Sequence, residues 1–86
     1  MLLSKTTYHF STMAAIHYPP LAVPSLPGQL WCGPHQDSGT LTIVWEDADG
    51  LEVLPRESTE WKEVVCPEDG LIVNLGDLMS RWTNNR

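Results

Sequence analysis

Three observations predict an antiparallel all-β fold of the sandwich or barrel type for this 86-residue sequence. Short apolar runs rich in β-branched residues recur at close spacing. Proline, glycine and Asp-Gly pairs punctuate them. No stretch carries the 3.6-residue apolar period of a long helix.

The elements follow in chain order. "FSTMAAIHY" (10–18) contains Ala14 and Ala15, which suit a helix, but Pro19-Pro20 push Tyr18 into an extended conformation. A strand ending at Tyr18 is the expectation. Five of the seven prolines lie between Pro19 and Pro34, which predicts an extended loop. "TLTIVW" (40–45) reads as a strand closed by the acidic turn "EDADG". "LEVL" (51–54) alternates apolar and polar and follows Asp49-Gly50, a hairpin signal. "PREST" is a turn. In "EWKEVV" (60–65), Trp61, Glu63 and Val65 would share one face. "CPEDG" is the next turn. "LIVNL" (71–75) has the nearly unbroken apolar character of a strand buried on both faces. "GDLMSRWTNNR" holds a short helical turn and the beginning of one more strand. The sum is five or six short strands.

Bulk properties narrow the function classes. The length allows one domain at most, and a chain of this size buries only about 60% of its unfolded surface. A hydrophobic fraction of 42% and four tryptophans predict a packed core rather than disorder. Eleven acidic against five basic side chains give a formal net charge of −6. That balance disfavours nucleic acid, whose phosphates need a basic patch, and an anionic membrane surface for the same reason. Cys32 and Cys66 are too few and too widely spaced for a disulfide framework or a metal knuckle, so reduced, part-buried thiols are expected. The opening "MLLSKTTYHFSTMAAIHY" is broken by Lys5, Thr6, Thr7, His9, Ser11 and Thr12 and offers no signal-peptide core, and no window approaches membrane-spanning length. A cytoplasmic location is the expectation.

The stretch that could carry chemistry is "GPHQDSGTLTIVW" (33–45). If extended, His35 and Asp37 point to one side, roughly 6.5–7 Å apart along the backbone, and could converge on one cation. An imidazole nitrogen with a carboxylate suits a borderline divalent metal, and two histidines with one carboxylate on one octahedral face form the non-haem Fe(II) arrangement. Taken alone, a His-x-Asp pair is more often a solvated turn. The acidic run Glu46 to Asp49 is most simply a solvated turn as well, lacking calcium-loop spacing.

The order and spacing of several segments go further. "HYPP" (17–20), "GPHQDSGTLTIVWED", "GLEVL", and a tryptophan ahead of "VVCPEDGLIVNLGDLMSRWTNNR" follow one another along the chain. Together, from about Met13 to Arg86, they resemble the core of the Fe(II)- and 2-oxoglutarate-dependent oxygenases, in the isopenicillin N synthase-like branch. The resemblance implies a partial double-stranded β-helix, or jelly roll, truncated at both ends relative to the family. Residues 13–86 would be the partial oxygenase domain and residues 1–12 a poorly defined lead-in.

On that resemblance His35 and Asp37 are two of three protein ligands to iron, and the Tyr18 hydroxyl helps hold the far carboxylate of 2-oxoglutarate. Many members carry Asn two residues before that tyrosine, where this chain has Ile16. Asn74, Gly76 and Asp77 match a scaffold segment and are assigned to turn-making. Asp47 falls where the family often carries an aspartate. Trp31, Trp45, Trp61 and Trp82 are expected in core and rim packing. The family's third ligand, a distal histidine, and the Arg-x-Ser motif that pairs with 2-oxoglutarate do not follow here, and His9 and His17 lie upstream of the motif.

The implied function is oxygen-dependent oxidation of a small molecule by an Fe(II)/2-oxoglutarate dioxygenase, with the 86-residue chain by itself inactive. The alternative is a truncated, non-catalytic β-domain acting as a binding or interaction module. Unpaired strand edges lead to an expectation of self-association.

Overall fold

The computed structural model describes residues 2–86, with side chains from Ser4 onward. Met1, where the expected lead-in starts, lies outside the described residues. The chain divides into two compact units, residues 1–33 and 34–86.

The first unit opens with a single 3-10 turn, Leu2–Lys5, and is otherwise irregular. The strand expected to end at Tyr18 does not form. A strand needs a hydrogen-bonding neighbour, and a segment that runs into Pro19-Pro20 meets residues with no N–H to offer one. The proline-rich loop is present as expected. It is tightened at Leu26–Gln29, where the Gln29 N–H donates to the Leu26 carbonyl at 2.9 Å and the Leu26 N–H to Gln29 Oε1 at 3.0 Å. Gly28, with φ 77°, makes that turn possible.

The second unit holds the regular structure: β1 (Leu41–Val44), β2 (Glu52–Val53), β3 (Lys62–Glu63), β4 (Ile72–Leu75) and α1 (Asp77–Trp82). Both pairings are antiparallel, and one is nested inside the other. The outer ladder joins β1 to β4, with Leu41 opposite Leu75, Thr42 opposite Asn74, Ile43 opposite Val73 and Val44 opposite Ile72. The inner ladder joins β2 to β3, Glu52 opposite Glu63 and Val53 opposite Lys62. It is extended by the Val64 N–H donating to the Leu51 carbonyl at 2.8 Å.

Asp49-Gly50 therefore does not form the hairpin its sequence suggests. Gly50, at φ 143°, instead turns the chain out of the outer ladder and into the inner one. The described residues contain four strands rather than five or six, in two-stranded sheets and without a closed barrel. The extra strand expected near the end is replaced by the close of α1. Asn84 and Asn85 adopt left-handed φ of 56° and 58°, and their N–H groups bond back to the Arg81 and Ser80 carbonyls at 3.2 and 2.7 Å. Asn tolerates that region because its short polar side chain can bond locally.

The packed core expected from composition is not found. Among the described residues no apolar side chain is buried. The four tryptophans are all exposed rather than packed, from 44% for Trp82 to 68% for Trp45. β4, expected to be covered on both faces, has three of its four residues exposed. The physical reason is layering: a two-stranded sheet hides an apolar face only against a second layer. One face of the outer ladder, formed by Leu41, Ile43, Val73 and Leu75, is exposed along its length.

One residue, Gly76, is buried among those described. It links β4 to α1, and a Cβ there would run into the Gly39 carbonyl oxygen and come within 2.9 Å of the Asp37 carbonyl oxygen. Its φ of −84° is open to any residue, so the constraint is the close approach of two backbones. Gly76→Ala should destabilise the second unit by about 1–3 kcal/mol through overpacking. Hydrogen exchange will show it as lost protection at the Asp77 and Leu78 amides.

Candidate metal centre

The segment carrying His35 and Asp37 is irregular backbone just ahead of β1, and it is held from its far side. The Asp77 N–H donates to the Asp37 carbonyl at 2.7 Å and the Leu78 N–H to the Gly39 carbonyl at 3.2 Å. The Gly76 N–H donates to the Thr40 carbonyl at 3.1 Å. Helices begin with backbone donors that lack intrahelical partners; at the start of α1, the loop of the His-x-Asp motif accepts from them. Within α1, Asp77 favours the N-terminal end of the helix dipole and pairs with Arg81 Nε one turn on, at 2.9 Å.

His35 and Asp37 converge as the sequence predicts. His35 Nε2 lies 3.3 Å from Asp37 Oδ1, with the side chains 61% and 29% exposed. Donors at adjacent corners of an octahedron with bonds of about 2.1 Å would lie roughly 3 Å apart, so the two atoms fit neighbouring positions on a divalent ion.

The carboxylate is also held toward its charged form. Hydrogen bonds from the side chains of Thr42 and, next, Asn74 hold Asp37 below the ordinary aspartate range, with a smaller contribution from His35 and partial opposition from burial. Both donors bond the charged form, which is the form that binds a metal.

Thr42 and Asn74 are the residues that sequence reasoning missed. Asn74, expected only to make a turn, sits inside β4 directly opposite Thr42 in β1. Gly76 and Asp77 do serve the turn. A signal for Asn74 was present: it is the one polar residue in the apolar run "LIVNL".

Among the described residues no set of three or more His, Cys, Asp or Glu side chains is arranged to hold an ion. His35 and Asp37 are the two candidate donors that the described residues bring together. His9 is engaged with the Ser11 hydroxyl at 3.1 Å. The acidic turn borders a depression of about 320 Å³ that includes Glu46, Asp47, Asp49 and Cys66, and it offers no further ligand set.

Tyr18 belongs to the first unit, where its ring tilts against Trp31 at 5.7 Å between centroids and 44° between planes, with the residue 47% exposed. Cys32 and Cys66 are not joined in a disulfide; Cys32 is exposed rather than part-buried, and its thiol donates to the Gly33 carbonyl at 3.8 Å. No helix among the described residues is long and apolar enough to cross a membrane.

Because Asp37 is more acidic folded than unfolded, its contribution to stability is complete above its ordinary value of 3.8 and is lost as pH falls through the lower folded value. Thr42→Val should move the Asp37 titration upward, as read from its carboxyl carbon shift by NMR.

The model of the 2OG-Fe(II) oxygenase superfamily matches residues 9–86. The 2-oxoglutarate-dependent dioxygenase htyE of Aspergillus rugulosus is 37% identical over 89 aligned residues, covering all of this chain and 27% of that protein. The 2-oxoglutarate-dependent dioxygenase thnC of Trichoderma harzianum is 38% identical, over 86% of this chain and 23% of its own length. Gibberellin 20 oxidase 3 of Oryza sativa subsp. japonica is 39% identical, over 81% and 20% respectively. The chain spans about a quarter of the length of these curated relatives. No solved structure matches it.

Proposed function

The chain belongs to the 2OG-Fe(II) oxygenase superfamily, and from that membership we propose that it forms part of a dioxygenase acting on a small molecule with Fe(II), 2-oxoglutarate and oxygen. The observation that carries the reading is the approach of His35 Nε2 to Asp37 Oδ1 at 3.3 Å. The name of the rice relative, a gibberellin 20 oxidase, supports a small-molecule substrate. We place the chain in the isopenicillin N synthase-like branch on the order of its motifs. We read the nested ladders as a piece of a jelly roll, whose strands pair in Greek-key fashion.

In this reading His35 and Asp37 hold two adjacent positions on Fe(II). When bound, the metal supplies the redox chemistry that couples decarboxylation of 2-oxoglutarate to oxidation of a substrate. The protein's part is orientation. α1 fixes the Asp37 main chain, and β1 and β4 fix its carboxylate. Tyr18 donates its hydroxyl to the far carboxylate of 2-oxoglutarate, its ring steadied by Trp31. With two donors the 86-residue chain binds metal weakly and does not turn over by itself.

Mn(II) tests the site. In NMR spectra it should broaden the His35 and Asp37 resonances first; broadening confined to Glu46–Asp49 would refute the assignment. Succinate release from 2-oxoglutarate, with Fe(II) and ascorbate added, should stay at background for the isolated chain. Sustained turnover would show that two donors suffice. Tyr18→Phe should weaken 2-oxoglutarate binding by about 10- to 100-fold, the cost of a hydrogen bond to a charged group, as followed by tryptophan fluorescence.

The exposed face of the outer ladder favours a second reading, an interaction module that works by association. Sedimentation should then show concentration-dependent self-association that Ile43→Lys reduces.

A further inference from the structure

Asp37 is gripped at both ends. Its main-chain carbonyl accepts from the first residue of α1, Asp77, at 2.7 Å. Its carboxylate accepts from Thr42 and Asn74, which face each other across the outer ladder. Directly opposed residues of an antiparallel pair project from the same face of the sheet. Thr42 and Asn74 therefore present a hydroxyl and an amide side by side, one from each strand. Neither is a metal donor of the usual kind for this site, and neither is needed to turn the chain: the close approach at Gly76 and the amides of residues 76–78 already do that.

A carboxylate attached by a short side chain can rotate, and its two oxygens offer about four lone-pair sites. With His35 Nε2 as its only neighbour, it could turn either oxygen, or both, toward a metal. Two donors arriving from different strands remove that freedom.

We propose that Thr42 and Asn74 are positioning residues: a cross-strand clamp that sets the rotation of the Asp37 carboxylate and keeps Oδ1 beside His35 Nε2 as a metal ligand. The proposal rests on the reading of His35 and Asp37 as ligands. It makes the outer ladder part of the metal centre, because any slip in its register would separate the two donors. Outer-shell partners of this kind orient the ligand, and their loss typically costs metal affinity rather than fold.

The test is Mn(II) affinity of the full 86-residue chain, followed through paramagnetic broadening at His35 and Asp37. Thr42→Val and Asn74→Leu, which keep size and remove the donor, should each weaken binding about 10- to 100-fold, while Thr42→Ser, which keeps the hydroxyl, should stay within about threefold of the parent. Cross-strand contacts between β1 and β4 are recorded in the same spectra. Unchanged affinity in Thr42→Val and Asn74→Leu with an intact ladder overturns the proposal. So does an equal loss in Thr42→Ser and Thr42→Val, which would mark a packing role.

If a variant loses the ladder, the parent chain decides. The Asn74 side-chain amide protons should be shifted relative to those in Asp37→Ala, and identical shifts overturn the clamp. Failure of Mn(II) to reach His35 and Asp37 in the parent chain refutes the ligand reading and this inference with it. Binding in the parent with unchanged variants refutes this inference alone.

Discussion

The second unit depends on one seam, where the amides of Gly76, Asp77 and Leu78 meet the carbonyls of Thr40, Asp37 and Gly39. A six-residue helix is too short to persist by its own hydrogen bonds. Seated on the loop, it gives its first donors partners and gives the loop a fixed shape. Each such bond contributes only about 0.5–1.5 kcal/mol net. Without a buried apolar core, directional contacts of this kind carry more of the specification than they would in a well-packed domain. Gly76 permits the seam because it brings nothing but backbone to it.

This dependence explains what the sequence could and could not disclose. His35 and Asp37 were legible because both the spacing and the surrounding segments point to them, and their convergence follows from local geometry. The cores of the four strands were legible from alternation and β-branching at Leu41–Val44, Glu52–Val53, Lys62–Glu63 and Ile72–Leu75. Their partners were not. Asp49-Gly50 reads locally as a hairpin, yet β1 pairs with β4, a choice set by residues far along the chain. The contribution of Thr42 and Asn74 stayed hidden for the same reason: a clamp built from two strands has no signature in either one. The strand expected before Tyr18 failed because extended character is a property of a segment, whereas a strand is a property of a pair.

The absence of a core has a similar origin. A hydrophobic fraction of 42% states how much apolar surface is available to hide and says nothing about what covers it. In the two-stranded outer ladder Leu41, Ile43, Val73 and Leu75 line one face together, and nothing among the described residues lies over them. Alternation along β1 remains visible in its burial pattern, exposed and half-buried in turn, with the half-buried side being the one that includes Thr42. The sheet has thus sorted its faces: hydrogen bonding to Asp37 on one, uncovered apolar surface on the other.

The nesting of the ladders also sets an order of events in time. β2 and β3 are separated by the eight residues 54–61 and can zip from more local encounters, while β1 and β4, 27 residues apart, must wait until the chain between them has been drawn in. Closing the longer loop costs more entropy before any contact rewards it, and non-local pairing is the slow kind. During synthesis, the motif bearing His35 and Asp37 emerges early but stays unorganised until Asn74 and α1 have followed it out. His35 and Asp37 are thus among the first recognisable features of the chain to be made and among the last to be assembled. By the same kinetics, the outer ladder's opening would release the carboxylate while the inner hairpin still stood.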